Sequence, residues 1–411
     1  MEAISLIMKE KKYDNYQSLK LIEALTSVIE ANDGIQDTEK ISYLMHTLKF
    51  IPWNTEIHDA WTELLKLTSA NLIKEFDFDT QQQQLEQLLS NFVTNPIQYF
   101  EILTILINNA FENNTIDQAL QYTNQQIELA EKEKQEELKV KAYHTKGVIY
   151  HLSGQLEFAE QWYKRSLKEV NPNITYDLHN QVLYSLANLY QHYLADYDQA
   201  FHYYMLALKL AENADNHEKQ AFYLDHLGMA SYWKDDIEAA IQYHDRAWQI
   251  LQSQKQTIST LFHKVQLSMA LAKNNEYERV GDELYSVIDL KLKNTDPFSN
   301  TWYILTLSDW VAHQPDNFDL LRSEFATKLS LVMEPENLAR IARSKAKKSN
   351  YAPSLVHSDL YLVRYIHDEK RDEILELLKE AKSIAIQNNR MREVEEVKHL
   401  ATSLGISYDD L

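Results

Sequence analysis

A chain of 411 residues with a formal net charge of −20 and no cysteine excludes several classes of protein. Without cysteine it has neither a disulfide framework nor a thiolate zinc site. Its acidic balance disfavours DNA as a partner, because phosphate binding needs clustered Lys and Arg, and the first arginine is Arg165. A net basic partner such as a cationic peptide suits this charge better, although acidity also serves solubility.

Only 6 Gly and 7 Pro interrupt the chain, which predicts long helices joined by short connections. The N-terminal residues lack the apolar segment of a signal peptide. No run of about 18 apolar residues predicts a transmembrane helix. We therefore expect an all-α, cytoplasmic protein that does not enter a membrane.

Residues 1–95 show amphipathic helical patterns without a clear repeat. The predicted helices cover residues 16–31, 38–50, 55–75 and 81–93. Asn32, Asp33 and Gly34 break the chain between the first two helices, and Pro52 follows the second. We expect these residues to form an N-terminal helical effector domain.

From about residue 96 onwards, three columns of residues recur at a spacing of about forty. They are clearest between residues 137 and 252. One column is small (Gly147, Ala187, Gly228), the next is alanine (Ala159, Ala200, Ala240), and the third follows four residues later (Tyr163, Tyr204, His244). The columns indicate stacked helix pairs, in which a small residue on the first helix lets the second approach and the alanine receives it.

These columns resemble the tetratricopeptide repeat (TPR). The family pattern matches Leu227, Gly228, Ala240 and Ala247 in one copy, Gly147, Tyr150, Ala159 and Tyr163 in another, and Ala187, Tyr190, Ala200, Tyr204 and Ala207 in a third. The resemblance implies an all-α fold, with the N-terminal helical bundle followed by a right-handed TPR superhelix. About seven helix pairs would cover residues 96–390, and a capping helix and tail would cover 391–411.

The period exceeds the usual 34 residues of this repeat. Elongated repeats, and the segments 185–201 and 200–248, resemble the Rap-type and related peptide-pheromone receptors of low-GC Gram-positive bacteria. That resemblance implies a quorum-sensing regulator that binds a short signalling peptide in its concave groove. Its N-terminal domain would contact a regulatory protein.

The TPR register predicts which side chains face the groove. With the small residue as the eighth of the first helix, positions two, five, nine and twelve face inward. Besides the candidates named next, these slots hold Glu101, Thr104, Phe111, Val148, His151, Gln181, Gln191, Phe222, Phe262, Val265, Met269 and Ala272. The peptide-binding candidates that we take from the inward slots are Asn108, Lys141, His144, Tyr184, Asn188, Asp225, Met229 and Tyr232. Their amides suit a peptide backbone and their apolar groups suit its side chains.

Two of these candidates have specific expected roles. The resemblance assigns Asn188, and less directly Asn108, to the peptide backbone, although each could instead bond a neighbouring helix. Asp225 is expected to pair with a cationic group of the peptide, or alternatively with a nearby basic side chain such as Lys141.

Motifs for catalysis, cofactors and metals are missing from the sequence. His144 and His151 share a predicted helix face, but no third ligand accompanies them. We expect no cofactor and no metal. The alternative functions are a constitutive TPR scaffold and a phosphatase of a phosphorylated response regulator. A degenerate DNA-binding domain in residues 1–95, a homodimer, the peptide's identity and the direction of regulation remain open.

Overall fold

A computed structural model of the chain describes residues 82, 83, 86 and 89 and the ranges 96–171, 174–252, 258–293, 297–314, 318–349, 352–366 and 368–411. The predicted helical domain over residues 1–95 therefore falls outside the described residues, apart from those four positions. No β-strand occurs in the described ranges, in agreement with the predicted all-α class. No helix in these ranges is long and apolar enough to cross a membrane.

Seventeen α-helices occupy the described ranges. They are α1 Pro96–Glu112, α2 Ile116–Lys132, α3 Glu136–Leu152, α4 Leu156–Lys168, α5 Tyr176–Leu189, α6 Tyr197–Asn213, α7 His217–Trp233, α8 Ile237–Leu251, α9 Ile258–Lys273, α10 Tyr277–Ser286, α11 Ile288–Lys293, α12 Pro297–His313, α13 Asp319–Leu329, α14 Pro335–Ser349, α15 Ala352–Tyr365, α16 Arg371–Gln387 and α17 Met391–Ser403. The chain divides into two compact units, Met1–Leu178 and His179–Leu411.

Helix length explains the forty-residue period. Helices α1 to α4 begin at residues 96, 116, 136 and 156, and the first three are each 17 residues long. The turns between them are short, and their central residues Asn114, Lys134 and Gly154 have φ values of 59°, 52° and 76°. After each turn an amide bonds back across it, as from Gln155 N to Tyr150 O at 2.8 Å, which is a Schellman closure. Long helices, rather than long links, therefore produce the elongated repeat.

The three recurring columns meet where paired helices touch. Ala159, Ala200 and Ala240 are fully buried. A Cβ atom placed on Gly147 would lie 2.5 Å from Cδ1 of Tyr163, and one placed on Gly228 would lie 2.6 Å from Nε2 of His244. In these two copies the ring four residues after the alanine therefore fills the space that the glycine leaves.

Three helices, α15 to α17, form the C-terminal end of the chain. The last helix pair before residue 391 is α15 and α16, and α17, at the position predicted for the capping helix, ends at Ser403, shortly before Gly405 with φ of 66°. Helix α17 packs on α15 and α16 and also on a π-helical turn, Tyr190–Leu194, that continues α5. It therefore reaches back to the first helix of the second unit, which the sequence did not predict.

Candidate functional site

The second unit contains a partly open cavity of about 310 Å³. Its wall comes from α5, α7, α9, α12 and α15, from the π-helical turn, and from the start of α17. Helix α7 contributes Phe222, His226, Met229 and Trp233, whose spacing of three to four residues places them on one face. The π-helical turn contributes the consecutive residues 191–193, and such widened turns are frequent at functional sites. We call this space the first cavity.

A second cavity, of about 840 Å³, adjoins the first. The two share Trp233, Met269, Trp302 and Arg392. Its wall carries charges of both signs, among them Asp309, Glu396, Lys273 and Arg364. The wall of the first cavity is the more apolar of the two.

Half of the predicted site residues lie on these walls. Tyr184, Asn188 and Met229 line the first cavity and Tyr232 lines the second. Of the remaining inward slots of the second unit, Gln191, Phe222, Phe262, Val265 and Met269 line the first cavity and Ala272 lines the second. Gln181 is exposed and lines neither, so the register is wrong about that position. Asp225 is on neither wall.

The other three candidates belong to the first unit. Asn108 is exposed. Nζ of Lys141 lies 2.8 Å from Oε1 of Glu101, so Lys141 is paired with that carboxylate rather than with Asp225. His144 is buried, with its ring centroid 5.4 Å from that of Tyr163.

Burial lowers the pKa of His144 to about 4. An unfolded histidine has a pKa of about 6.5, so the native state resists protonation and loses stability as the pH falls from that value towards 4. We expect His144→Gln to reduce the loss of unfolding free energy between pH 7 and pH 5 by about 1–2 kcal/mol. Urea unfolding at the two pH values measures this. His217→Gln, at an exposed histidine, is the control, and equal pH dependence in both variants would contradict the prediction.

Asp225 joins three successive helices through two histidines. Its Oδ1 accepts hydrogen bonds from Nδ1 of His244 at 2.8 Å and from Nδ1 of His263 at 2.6 Å. Both imidazoles are fully buried. Burial raises the pKa of Asp225, but the charges and hydrogen bonds of His263 and His244 outweigh it and leave that pKa below its ordinary value. We call these three residues the Asp225 triad.

The triad consists of residue types that bind zinc. Within the described ranges, these three residues are the group of at least three His, Asp or Glu that could hold a metal ion, because their potential ligand atoms all lie within 4.8 Å of one another. Two ligands of a tetrahedral Zn²⁺ ion, each about 2.0–2.1 Å from the metal, lie about 3.3 Å apart. The observed 2.6 and 2.8 Å separations are shorter and fit hydrogen bonds. The triad as found is therefore a hydrogen-bonded link between α7, α8 and α9.

Arg390 and Arg392 are wall residues that the sequence reasoning missed. The Arg390 guanidinium lies 5.0 Å from the ring centroid of Tyr193, and that of Arg392 lies 4.1 Å from the Trp233 ring. Nη2 of Arg390 donates to Oε1 of Glu393 at 2.8 Å, and Nη2 of Arg392 lies 3.0 Å from Nε2 of His357. The only sequence signal was two closely spaced arginines in an arginine-poor chain.

The histidines on the wall of the first cavity favour the neutral form. Burial, the largest effect, lowers the pKa of His226 to about 4. For His192, burial and then the charges of Arg392 and Arg390 hold the pKa well below its ordinary value. Near neutral pH the positive charge at this wall therefore belongs to the two arginines.

Comparison with known proteins finds matches among solved structures only. No family model matches the sequence, and no curated protein does. The apo form of RapI is similar with a TM-score of 0.55 and 13% identity, over 72% of this chain and 99% of that one. Aspartyl phosphate phosphatase F from Bacillus subtilis is similar with a TM-score of 0.55 and 11% identity, over 91% of this chain and 95% of that one.

The apo quorum sensor NprR from B. thuringiensis gives a TM-score of 0.52 and 16% identity, over 89% of this chain and 97% of NprR. Structural similarity at identities this low shows the fold alone. The chain thus has a tetratricopeptide-repeat fold that resembles those of RapI and NprR.

Proposed function

We propose that this protein is a peptide-responsive regulator. A short peptide binds in the first and second cavities, and its binding changes how the protein contacts a regulatory protein partner. The fold likeness to RapI and to the quorum sensor NprR supports this class of function. We assign the partner contact to residues 1–95. The phosphatase alternative also concerns those residues and forms no part of the proposal.

The polar groups of the first cavity carry the proposal. Oε1 of Gln191 and Oε1 of Gln266 are buried on its wall and have no hydrogen-bond partner among the described residues. A buried acceptor without a donor costs about 1–3 kcal/mol, so a ligand that supplies N–H groups gains from filling this space. An extended peptide supplies them along its main chain, while the aromatic walls receive its side chains.

Peptides that co-purify with the native protein provide the direct test. We expect mass spectrometry of the denatured preparation to release a short peptide, and that peptide, once synthesised, to raise the melting temperature of the peptide-free protein. If no peptide is released and no synthetic peptide stabilises the protein, the constitutive scaffold is the better description.

Asn188 is expected to bond the peptide backbone. Asn188→Ala should weaken binding of unrelated peptides alike, by about 1–3 kcal/mol, because a main-chain contact does not depend on peptide sequence. Isothermal titration calorimetry measures the change. Gln181→Ala is the matched control, since Gln181 lies on the same helix but is exposed and off the cavity wall. Equal affinity of both variants and the wild type would remove Asn188 from the site.

A further inference from the structure

The first cavity carries formal charge of one sign on its wall. Arg390 and Arg392 line it, and the described residues that line it include no Asp or Glu. Both arginines are nearly inaccessible to solvent, with side chains 5% and 6% exposed. A buried cation without a matching anion is costly, so the arrangement needs a partner for this charge.

Glu393 supplies that partner only in part. Nη2 of Arg390 and Nη2 of Arg392 both donate to the same oxygen, Oε1, of its fully buried carboxylate. Nε of each arginine is buried and has no hydrogen-bond partner in the described part of the chain. Glu396 approaches Nε of Arg392 to 3.6 Å, beyond hydrogen-bond range, and belongs to the wall of the second cavity. Two guanidinium groups therefore share one hydrogen-bonded carboxylate, with Glu396 as a more distant ion-pair partner of Arg392, and each keeps a buried Nε–H donor.

The field of these charges extends into the cavity. Arg392 and Arg390 both disfavour protonation of His192, while Glu393 opposes them only as a smaller effect. His192 lies on the same wall. A negative group placed in this space would therefore meet a net positive potential in a poorly solvated environment, where charge-assisted hydrogen bonds are strong.

We propose that the first cavity binds a carboxylate of the peptide through Arg390 and Arg392. This inference rests on the proposed function and specifies its ligand. The guanidinium fork matches a carboxylate, while Tyr184, Phe222 and Phe262 surround the adjoining apolar part. The carboxylate comes from the peptide's C-terminus or from an Asp or Glu side chain. A purely cationic peptide, which the overall charge favours, would lack the group that this wall requires unless its C-terminus supplies it.

Matched synthetic pools test the inference on the wild-type protein. Four pools of random N-acetylated pentapeptides carry either a free C-terminal carboxylate or an amide, each with or without Asp and Glu. We expect affinity selection to enrich carboxylate-bearing peptides at least tenfold over the amidated pool that lacks Asp and Glu. Enrichment from the free-acid pool without Asp and Glu identifies the C-terminus as the source. Enrichment from the amidated pool with Asp and Glu identifies a side chain.

Variants of the two arginines provide a second test of the carboxylate site. Arg390→Gln and Arg392→Gln should each weaken the enriched carboxylate peptides at least tenfold and leave carboxylate-free peptides unchanged. Arg340→Gln, at a partly exposed arginine paired with Glu336 and Glu373, should change neither. Circular dichroism verifies folding, and the comparison of wild-type pools remains decisive if a variant fails to fold. Equal enrichment from the carboxylate-free pool overturns this inference alone, whereas retention from no pool overturns the proposed function with it.

Discussion

Replacing Gly228 with leucine should lower the free energy of unfolding by about 3 kcal/mol. Even a single added carbon at this position would lie 2.6 Å from Nε2 of His244. The imidazole cannot swing aside easily, because its other nitrogen is bonded to Asp225. Leucine would force α7 and α8 apart or break that bond. Urea denaturation followed by circular dichroism measures the change as a lower midpoint.

A double variant shows whether the ring is the cause. His244→Ala removes the imidazole and leaves room for a larger side chain at position 228. We expect Gly228→Leu combined with His244→Ala to be more stable than the sum of the two single effects predicts, because the clash with the ring, present in Gly228→Leu, is absent from the double variant. Strictly additive effects, or an unchanged midpoint in Gly228→Leu, would contradict the helix packing described here.

The repeat and half of the candidate site could be predicted because both follow from helical periodicity. The small residues, the alanines and the following rings recur at a fixed step since paired helices can touch closely only where side chains are complementary. The same register predicts which residues of α5 and α7 face inward, which explains why Tyr184, Asn188 and Met229 lie on the cavity wall.

The basic wall could not be predicted in this way. Arg390 and Arg392 reach the cavity only because α17 packs on the π-helical turn after α5, about two hundred residues earlier in the chain. A register counted along one helix pair contains no information about that contact. The partners of Asp225 differ in the same way. His244 belongs to one of the three recurring columns, but His263 comes from the next repeat and lies in none of them.

Removing the carboxylate of Asp225 should also have a large effect. In Asp225→Ala, Nδ1–H of His244 and Nδ1–H of His263 both lose their acceptor while the rings remain fully buried. Each buried donor without a partner costs about 1–3 kcal/mol, so we expect the free energy of unfolding to fall by about 2–5 kcal/mol. Asp225→Asn retains one acceptor oxygen and should lose less. Asp282→Asn, at an exposed carboxylate, is the control for charge removal.

The pH dependence of this effect separates a structural Asp225 from a ligand-binding one. Because its native pKa is lowered, the carboxylate stabilises the fold fully above its unfolded pKa of about 3.9, and that contribution is lost as the pH falls towards the lower native value. The difference in unfolding free energy between wild type and Asp225→Asn should therefore shrink below about pH 4. If instead Asp225→Asn unfolds like the wild type but binds Lys- or Arg-containing peptides more weakly, Asp225 holds a peptide cation, as the sequence predicts. The short bonds to two buried imidazoles favour the first outcome, since a carboxylate that already accepts two internal hydrogen bonds has less capacity for a ligand.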